Sequence, residues 1–390
     1  MSYDVCIIST IHRDFDNRIY LRQANALIDA GFSVCIVAPW DFSKRTRQDY
    51  DFVSLPYPEQ RKDRIVHGWR TYQAARKVTA KVYIFHDNDF LLWGLRLKQA
   101  TGSIVVYDAH ENIPEDILYG KDWIPAPIRP PISWAFRHIE EFVVKRLGET
   151  IVVGEHLQRR FRRVGATATL VRNFANFAVP DESFKQERAI IYTGDITPDY
   201  GAFNILGIAR ALRARGIDVP LRIVDRFPEP ELRTEILAVI ARERLPIEIL
   251  QPVVAADMPQ LLAKAMIGIS PSPDVRNKAL ALPTKLFEYM LFKLAIVASD
   301  IEGTRIVLED GRLGILCPPE DYDAWADAIE SLLSDAELFA RYTADAQQAA
   351  REKYTWASEK QGMIGYVKKL VAQADRAGQA NSRMTSNASA

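Results

Sequence analysis

The 390 residues are 48% hydrophobic and 26% charged, the balance of a globular chain with room for two or three domains. Fifty Lys and Arg offset fifty Asp and Glu, which leaves no net field for nucleic acid or another acidic polymer. No apolar run approaches the roughly 18 residues that cross a bilayer, no basic-then-apolar leader opens the chain, and Cys6, Cys35 and Cys317 sit singly in apolar settings. A cytoplasmic protein with buried, reduced thiols is the expectation.

Residues 3–9 read as a strand, 18–30 as an amphipathic helix stopped by Gly31, and 33–38 as the next strand. Further strands are expected at 82–85, 104–107 and 150–153, with helical stretches between. The periodicity lapses in the polar stretch 173–185 and then restarts. A strand at 189–193, a helix at 202–215 and strands at 221–225, 247–250, 266–270 and 294–298 follow. Strand–helix alternation calls for parallel sheets covered on both faces. The reading is α/β, with two doubly wound, Rossmann-like domains at 1–177 and 178–350. Residues 351–371 carry Tyr354, Trp356, Met363 and Tyr366 at helical spacing, suited to packing back on the N-terminal domain. Residues 372–390, rich in Ala, Ser, Asn and Gln, read as a disordered tail.

In open parallel sheets ligands bind beyond the carboxyl ends of the strands. The run Ala281-Leu-Pro-Thr-Lys-Leu-Phe-Glu-Tyr-Met290 is the most informative segment there. Pro283 suits a first helical position, and Lys285 stands in the first turn, against the helix dipole. A bound anion reverses that balance, and a diphosphate is the natural one. Glu288, about one turn on, can accept two hydrogen bonds from a ribose diol; a plain Lys285–Glu288 surface ion pair is the bland alternative.

With PTKLFEYM followed by LAIVASDIEGTRIVLEDGRLGILCPPEDYDAWADAI, the chain resembles the donor-binding half of glycosyltransferase family 4, of GT-B fold. Asp16 and Arg18 opening the first helix, HDNDFLLWGLRLKQATGSIVVYDAHENIP at 86–114, and the Arg172-Asn173 junction extend the resemblance over about residues 3–370. It implies a transferase with two Rossmann-like domains facing a cleft, the donor held chiefly by the second and the acceptor by the first. Glu288 then binds the ribose and Lys285 the diphosphate. Gly194 lets backbone approach phosphate, with Asp195, Pro283, Thr284 and Leu286 alongside. Asp108, His110 and Glu111 match an Asp-x-His-Glu strand end whose histidine faces the transferred sugar. Leu280 stands where the family's first glutamate is usual, and Asp195-Ile-Thr-Pro-Asp-Tyr-Gly201 lacks the usual basic pair.

The resemblance implies a UDP- or GDP-linked sugar as donor and no other cofactor. It also implies retention of anomeric configuration and a glycan or lipid-linked acceptor in surface polysaccharide or glycoconjugate synthesis. If the reaction inverts instead, Asp16, Asp108, His110 or Glu111 must take the acceptor's proton. Fixed positive groups make a metal unnecessary, although His86-Asp87-Asn88-Asp89 offers an Asp-x-Asp that suits Mg²⁺ or Mn²⁺. His12 and His86 also fall near strand ends. A sugar-nucleotide-binding protein without transferase activity, or an epimerase of the same fold, are the alternatives. No Gly-x-Gly-x-x-Gly follows the first strand, which sets dinucleotide oxidoreductases aside. Residues 119–147 hold Trp123, Trp134, Phe136, Ile139 and Val143, and Arg159, Arg160, Arg162 and Arg163 flank Phe161. Together they suggest peripheral contact with an anionic membrane at the inner face of the cell membrane, with core packing as the alternative.

Overall fold

The structure is a computed structural model that describes residues 2–12, 16–44, 47–58, 60, 63–121, 123–175, 186–253, 257–275 and 282–388. The expected domain boundary at 177/178 and Leu280 lie outside the described residues. The chain divides into two units, Met1–Asn173 with Trp356–Ala390, and Phe174–Thr355.

The first unit is built on seven strands: β1 (Ser2–Ile8), β2 (Val34–Ala38), β3 (Asp51–Ser54), β4 (Thr79–Phe85), β5 (Ile104–Ala109), β6 (Glu149–Val152) and β7 (Thr167–Leu170). They lie in the order β3-β2-β1-β4-β5-β6-β7, every pair parallel. Successive residues of β1 enter opposite cores. Val5 and Ile7 join the cluster that holds Ile36, Val82 and Ile84, whereas Cys6 and Ile8 join the one around Tyr83, Phe85 and Tyr107. With both faces covered, the strand reads as an unbroken apolar run. Cys6 and Cys35 are register partners across β1 and β2, and all three cysteines are buried free thiols.

The second unit repeats the plan with β8 (Glu187–Tyr192), β9 (Leu221–Val224), β10 (Ile247–Leu250), β11 (Ala265–Ser270), β12 (Ala295–Ser299) and β13 (Ile315–Cys317), ordered β10-β9-β8-β11-β12-β13 and again parallel. Ile190 and Tyr192 face a core with Ile223, Ile269 and Trp325; Ile191 faces one with Leu286, Tyr289 and Ile296. Strand order reverses between β1 and β4 in one sheet and between β8 and β11 in the other. These are the points where such sheets open a crevice for ligands.

Three details differ from the sequence reading. The first helix starts with wide π-type turns over Asn17–Ala24 before regular α-helix over Asn25–Asp29. The second unit closes at Thr355 rather than at 350. The stretch after Ala372 continues a helix, Trp356–Ala388, instead of forming a disordered tail; alanine, glutamine and arginine are good helix formers even in biased composition. That helix sets Trp356, Met363, Val367 and Leu370 into the core around β1 and β2.

Loop geometry near the second reversal rests on one glycine. Gly201 has φ +90° at the head of the helix Ala202–Ala214, and a Cβ there would run into the Pro271 carbonyl just beyond β11. Gly216, at φ +68°, has open space around it. Gly201→Ala should therefore cost at least about 2 kcal/mol, through backbone strain plus the clash, and Gly216→Ala only about 1. Urea denaturation followed by circular dichroism measures both; equal costs would show that the Pro271 contact is immaterial.

Candidate functional site

At the carboxyl end of the first sheet, Asp108 closes β5 with no exposed surface. Arg18 reaches it with Nη2 2.7 Å from Oδ1 and Nε 3.3 Å from Oδ2, and Gln23 donates to Oδ2. The same guanidinium donates to the Val171 carbonyl at 3.0 Å and to Asn173 Oδ1 at 2.6 Å, tying the first helix to the end of the unit. His110 Nε2 lies 3.4 Å from Asp108 Oδ1, His86 Nδ1 lies 3.5 Å from Oδ2, and the two imidazole nitrogens are 3.0 Å apart. Burial alone would raise the Asp108 pKa, but Arg18, followed by His110, holds it well below the carboxylate range. Burial pushes His86 well below the imidazole range, so it stays neutral.

Among the described residues, His86, Asp108 and His110 are the one His/Asp trio whose ligand atoms lie close enough to share a metal. Both Asp108 oxygens already receive hydrogen bonds, and Arg18 supplies the positive charge that a metal would bring. The trio fits a positioning cluster better than a metal site. The Asp-x-Asp carboxylates also have partners within the protein. Asp87 Oδ2 accepts the Thr10 N–H at 2.6 Å, and Asp89 Oδ1 accepts the Thr10 hydroxyl at 2.6 Å. The two carboxylates brace the loop after β1, and burial together with Asp87 pushes Asp89 up to about 6. Asp87 Oδ1 also lies 3.5 Å from His12 Nε2, and His12 stacks on His110 at 5.5 Å between centroids.

The other candidates of this unit take different places. Asp16 caps the first helix, accepting from the Arg18 and Ile19 N–H groups at 2.8 and 3.0 Å. Glu111 is exposed just beyond β5. On the helix Arg129–Leu147 two apolar stripes separate: Val143, Val144 and Leu147 are buried, whereas Ile128 just before it and Ile132, Ala135, Ile139 and Phe142 within it are exposed along one line. Glu140 interrupts neither, because it points inward to Arg160 and to Tyr107 Oη at 3.3 Å. Burial raises its pKa to about 7 against the pull of Arg160. The arginine cluster is thereby split, with Arg160 turned in and Arg159, Arg162 and Arg163 exposed.

In the second unit the helix Thr284–Leu291 begins one residue later than expected, with Pro283 as its N-cap. The Pro283 carbonyl accepts from Leu286 N–H at 3.0 Å, and the Thr284 and Lys285 N–H groups open the first turn. Leu286 is a core residue with no exposed surface; Thr284 is exposed, and Pro283, Lys285 and Glu288 are half-buried. The Lys285 ammonium turns to the end of β8. Its Nζ is 3.4 Å from Tyr192 Oη, 4.5 Å from that ring's centroid and 5.5 Å from the Tyr200 centroid. A Cβ at Gly194 would stand 2.7 Å from Nζ and 2.5 Å from Tyr192 Oη, so glycine is what lets lysine and backbone meet there. Burial lowers the Lys285 pKa to about 8, opposed by Asp195 and Glu288 and aided by Arg226. Asp195 pairs with Arg226 at 3.0 Å. Tyr192, Tyr200 and Arg226 escaped the sequence reading; all three flank strand ends, the one signal available.

Because Asp108 is ionised and buried, removing its main partner should be costly. Arg18→Met is expected to lose about 3–5 kcal/mol near neutral pH. The wild-type contribution exists above the unfolded carboxylate pKa and fades as pH falls through the lower folded one. The deficit of the variant should therefore shrink in acid, and Asp108→Asn should restore part of it. Thermal denaturation across pH measures this; a pH-independent deficit would mean that the charge is not its source.

Residues 187–335 match the family described as glycosyl transferases group 1. Over 355 residues the chain is 29% identical to a phosphatidyl-myo-inositol mannosyltransferase of Mycolicibacterium smegmatis, covering 86% of this chain and 85% of that one. Among solved structures, a sucrose-phosphate synthase from Thermosynechococcus elongatus aligns with a TM-score of 0.74 at 15% identity, over 95% of this chain and all of that one. Anabaena HepE in complex with UDP-glucose aligns at 0.68 and 16%, over 94% and 100%. At such identities the structural likeness speaks for the fold alone, and the fold is GT-B. With a glycosyl transferases group 1 domain in its second unit, this chain is a GT-B glycosyltransferase.

Proposed function

We propose that the chain transfers a sugar from a UDP- or GDP-linked donor to a lipid-linked or glycan acceptor in surface glycoconjugate synthesis, with retention and without a metal. The observation that carries this is the meeting of Lys285 Nζ with Gly194 beside the open end of the helix Thr284–Leu291. A leaving nucleoside diphosphate gains negative charge as the anomeric bond breaks. An ammonium and oriented N–H groups fixed in a partly desolvated setting stabilise that charge more in the transition state than in the ground state. Glu288, one turn along the same helix, suits the ribose hydroxyls.

Two of the first unit's candidate bases are committed within the protein, which favours retention and leaves Glu111 and His110 as the groups an inverting reaction would use. Asp108 is locked by Arg18 and Gln23, and Asp16 caps a helix, so neither is free to take an acceptor proton. His110, held against Asp108 and His12, is the polar group best placed at this strand end to meet the transferred sugar. Metal independence draws support from Lys285, a fixed positive group that can meet the diphosphate charge, while Thr10 holds one oxygen each of Asp87 and Asp89. The lipid-linked acceptor draws support from the mannosyltransferase relative, whose name specifies a phosphatidylinositol. No helix among the described residues is long and apolar enough to cross a membrane. The exposed line Ile128, Ile132, Ala135, Ile139 and Phe142, with Arg146 over Phe142 at 4.8 Å, suits an anionic bilayer surface instead.

Lys285→Ala should weaken UDP or GDP binding by about 2–3 kcal/mol, as expected for a lost charged hydrogen bond. Because the protonated lysine is the binding form and its pKa is about 8, wild-type affinity should fall as pH rises past that value. Lys285→Arg should remove the decline. Calorimetry reads both effects; unchanged diphosphate binding by the alanine variant would refute the cradle.

Membrane contact is tested separately. Ile132→Asp with Ile139→Asp alters only exposed side chains and should abolish flotation with phosphatidylglycerol vesicles while leaving the melting temperature within about 2 °C. A wild-type protein that stays unbound at low salt would remove the membrane assignment.

A further inference from the structure

The stretch Thr193-Gly194-Asp195, where β8 ends, is approached by two cations. Lys285 is one. The other is Arg226, two residues beyond β9, whose Nε lies 3.0 Å from Asp195 Oδ1 and whose Nη1 lies 3.5 Å from the Thr193 carbonyl oxygen. The field of Arg226 reaches Lys285, helping to hold its pKa down, and also bears on Tyr192. Both basic groups therefore act on the few ångströms of backbone that Gly194 keeps open.

Resting on the diphosphate cradle proposed above, we propose that Arg226 is a second diphosphate ligand and that Asp195 is the counter-ion it exchanges for phosphoryl oxygens. Charge balance motivates the exchange. Lys285 donates to a phenol, whereas Arg226 is paired with Asp195, so the charge of Arg226 becomes available to a diphosphate only when that pair opens. The Arg226–Asp195 pair is the one that opens cheaply. Its side chains are 47% and 46% exposed, and exposed pairs of this kind hold their partners weakly. A guanidinium gives two parallel hydrogen bonds to a phosphoryl group, a stronger arrangement than the pair it leaves. Asp195 opposes the incoming anion and makes the exchange selective for ligands with enough negative charge to displace it.

A merely structural role is the rival. The Arg226 backbone does join the loops, accepting from Ile196 N–H at 2.9 Å and donating to the Val224 carbonyl at 2.7 Å, but those bonds survive any side-chain substitution. Calorimetric titration of UDP, UMP, GDP and GMP into wild type, Lys285→Ala, Arg226→Gln, Arg226→Lys and Asp195→Asn distinguishes the cases. The expected result for Arg226→Gln is a loss of roughly tenfold or more for the diphosphate and under threefold for the monophosphate, so the preference between them narrows. Arg226→Lys should recover part of it, and Asp195→Asn should tighten diphosphate binding several-fold. If Arg226→Gln binds diphosphate like wild type while Lys285→Ala does not, the role given to Arg226 is overturned and the cradle stands. If it weakens mono- and diphosphate equally and lowers the melting temperature, its role is structural and the proposal fails. If wild type binds neither diphosphate, or Lys285→Ala changes nothing, the cradle itself is refuted and this inference goes with it.

Discussion

Parallel strand pairing is the constraint on which everything else rests. A parallel sheet cannot close by tight hairpins, so each strand is followed by a crossover, and all the carboxyl ends of a sheet come to one edge. In both units the central strands are buried on two faces, which leaves them little polar chemistry of their own beyond Asp108 near the end of β5. Polar function is displaced to the residues just past strand ends. Thr10, His86 and His110 in the first unit, and Thr193, Gly194 and Arg226 in the second, all occupy such positions. The reversal of strand order then spreads two neighbouring crossovers apart at one point per sheet, and the candidate sites stand at those points.

The two units handle charge at that edge in opposite ways. In the first, the buried carboxylates Asp108 and Glu140 are answered from within the protein, Asp108 by Arg18 and Glu140 by Arg160. The result is a stiff frame that fixes His110 and the loop after β1. In the second, Lys285 is partly desolvated against two tyrosines, and among the described residues its hydrogen-bond acceptor is a phenol 3.4 Å away rather than a carboxylate. Its pKa near 8 records the cost of that desolvation. An under-compensated cation beside open helix N–H groups holds binding free energy in reserve for an anion, whereas a fully paired one does not.

How much of this was legible follows from what local pattern can carry. The central strands were plain because burial on both faces makes them continuous apolar runs, as in Cys6-Ile7-Ile8 or Ile190-Ile191-Tyr192. The edge strands β3, β7 and β13 were missed: Asp51–Ser54 and Thr167–Leu170 are partly exposed and interrupted by polar residues, and Ile315–Cys317 is only three residues long. Lys285 and Glu288 were readable because a helix start and a one-turn spacing are local facts. The Arg18–Asp108 contact joins residues ninety positions apart, and no periodicity encodes it. Arg226 was invisible for the same reason, its meaning coming only from Asp195 on a neighbouring strand end. Asp87 and Asp89 show how little a short acidic motif says of its role, since one oxygen of each is held by Thr10, 77 and 79 positions away.

The helix Arg129–Leu147 shows how a buried polar contact can shape a surface. Taken as one amphipathic pattern, Ile139 and Val143 belong together, and Glu140 breaks the face. Glu140 instead enters the core and pairs with Arg160, which fixes the rotation of the helix about its axis. With that rotation set, Val143, Val144 and Leu147 must face inward, and Ile132, Ile139 and Phe142 must face out. Turning the helix to bury the other stripe would carry Glu140 outward and part it from Arg160. A buried ion pair adds little net stability but strongly penalises the wrong rotamer or register. Here it selects which apolar stripe is kept for the outside, so the exposed ridge follows from the position of one carboxylate.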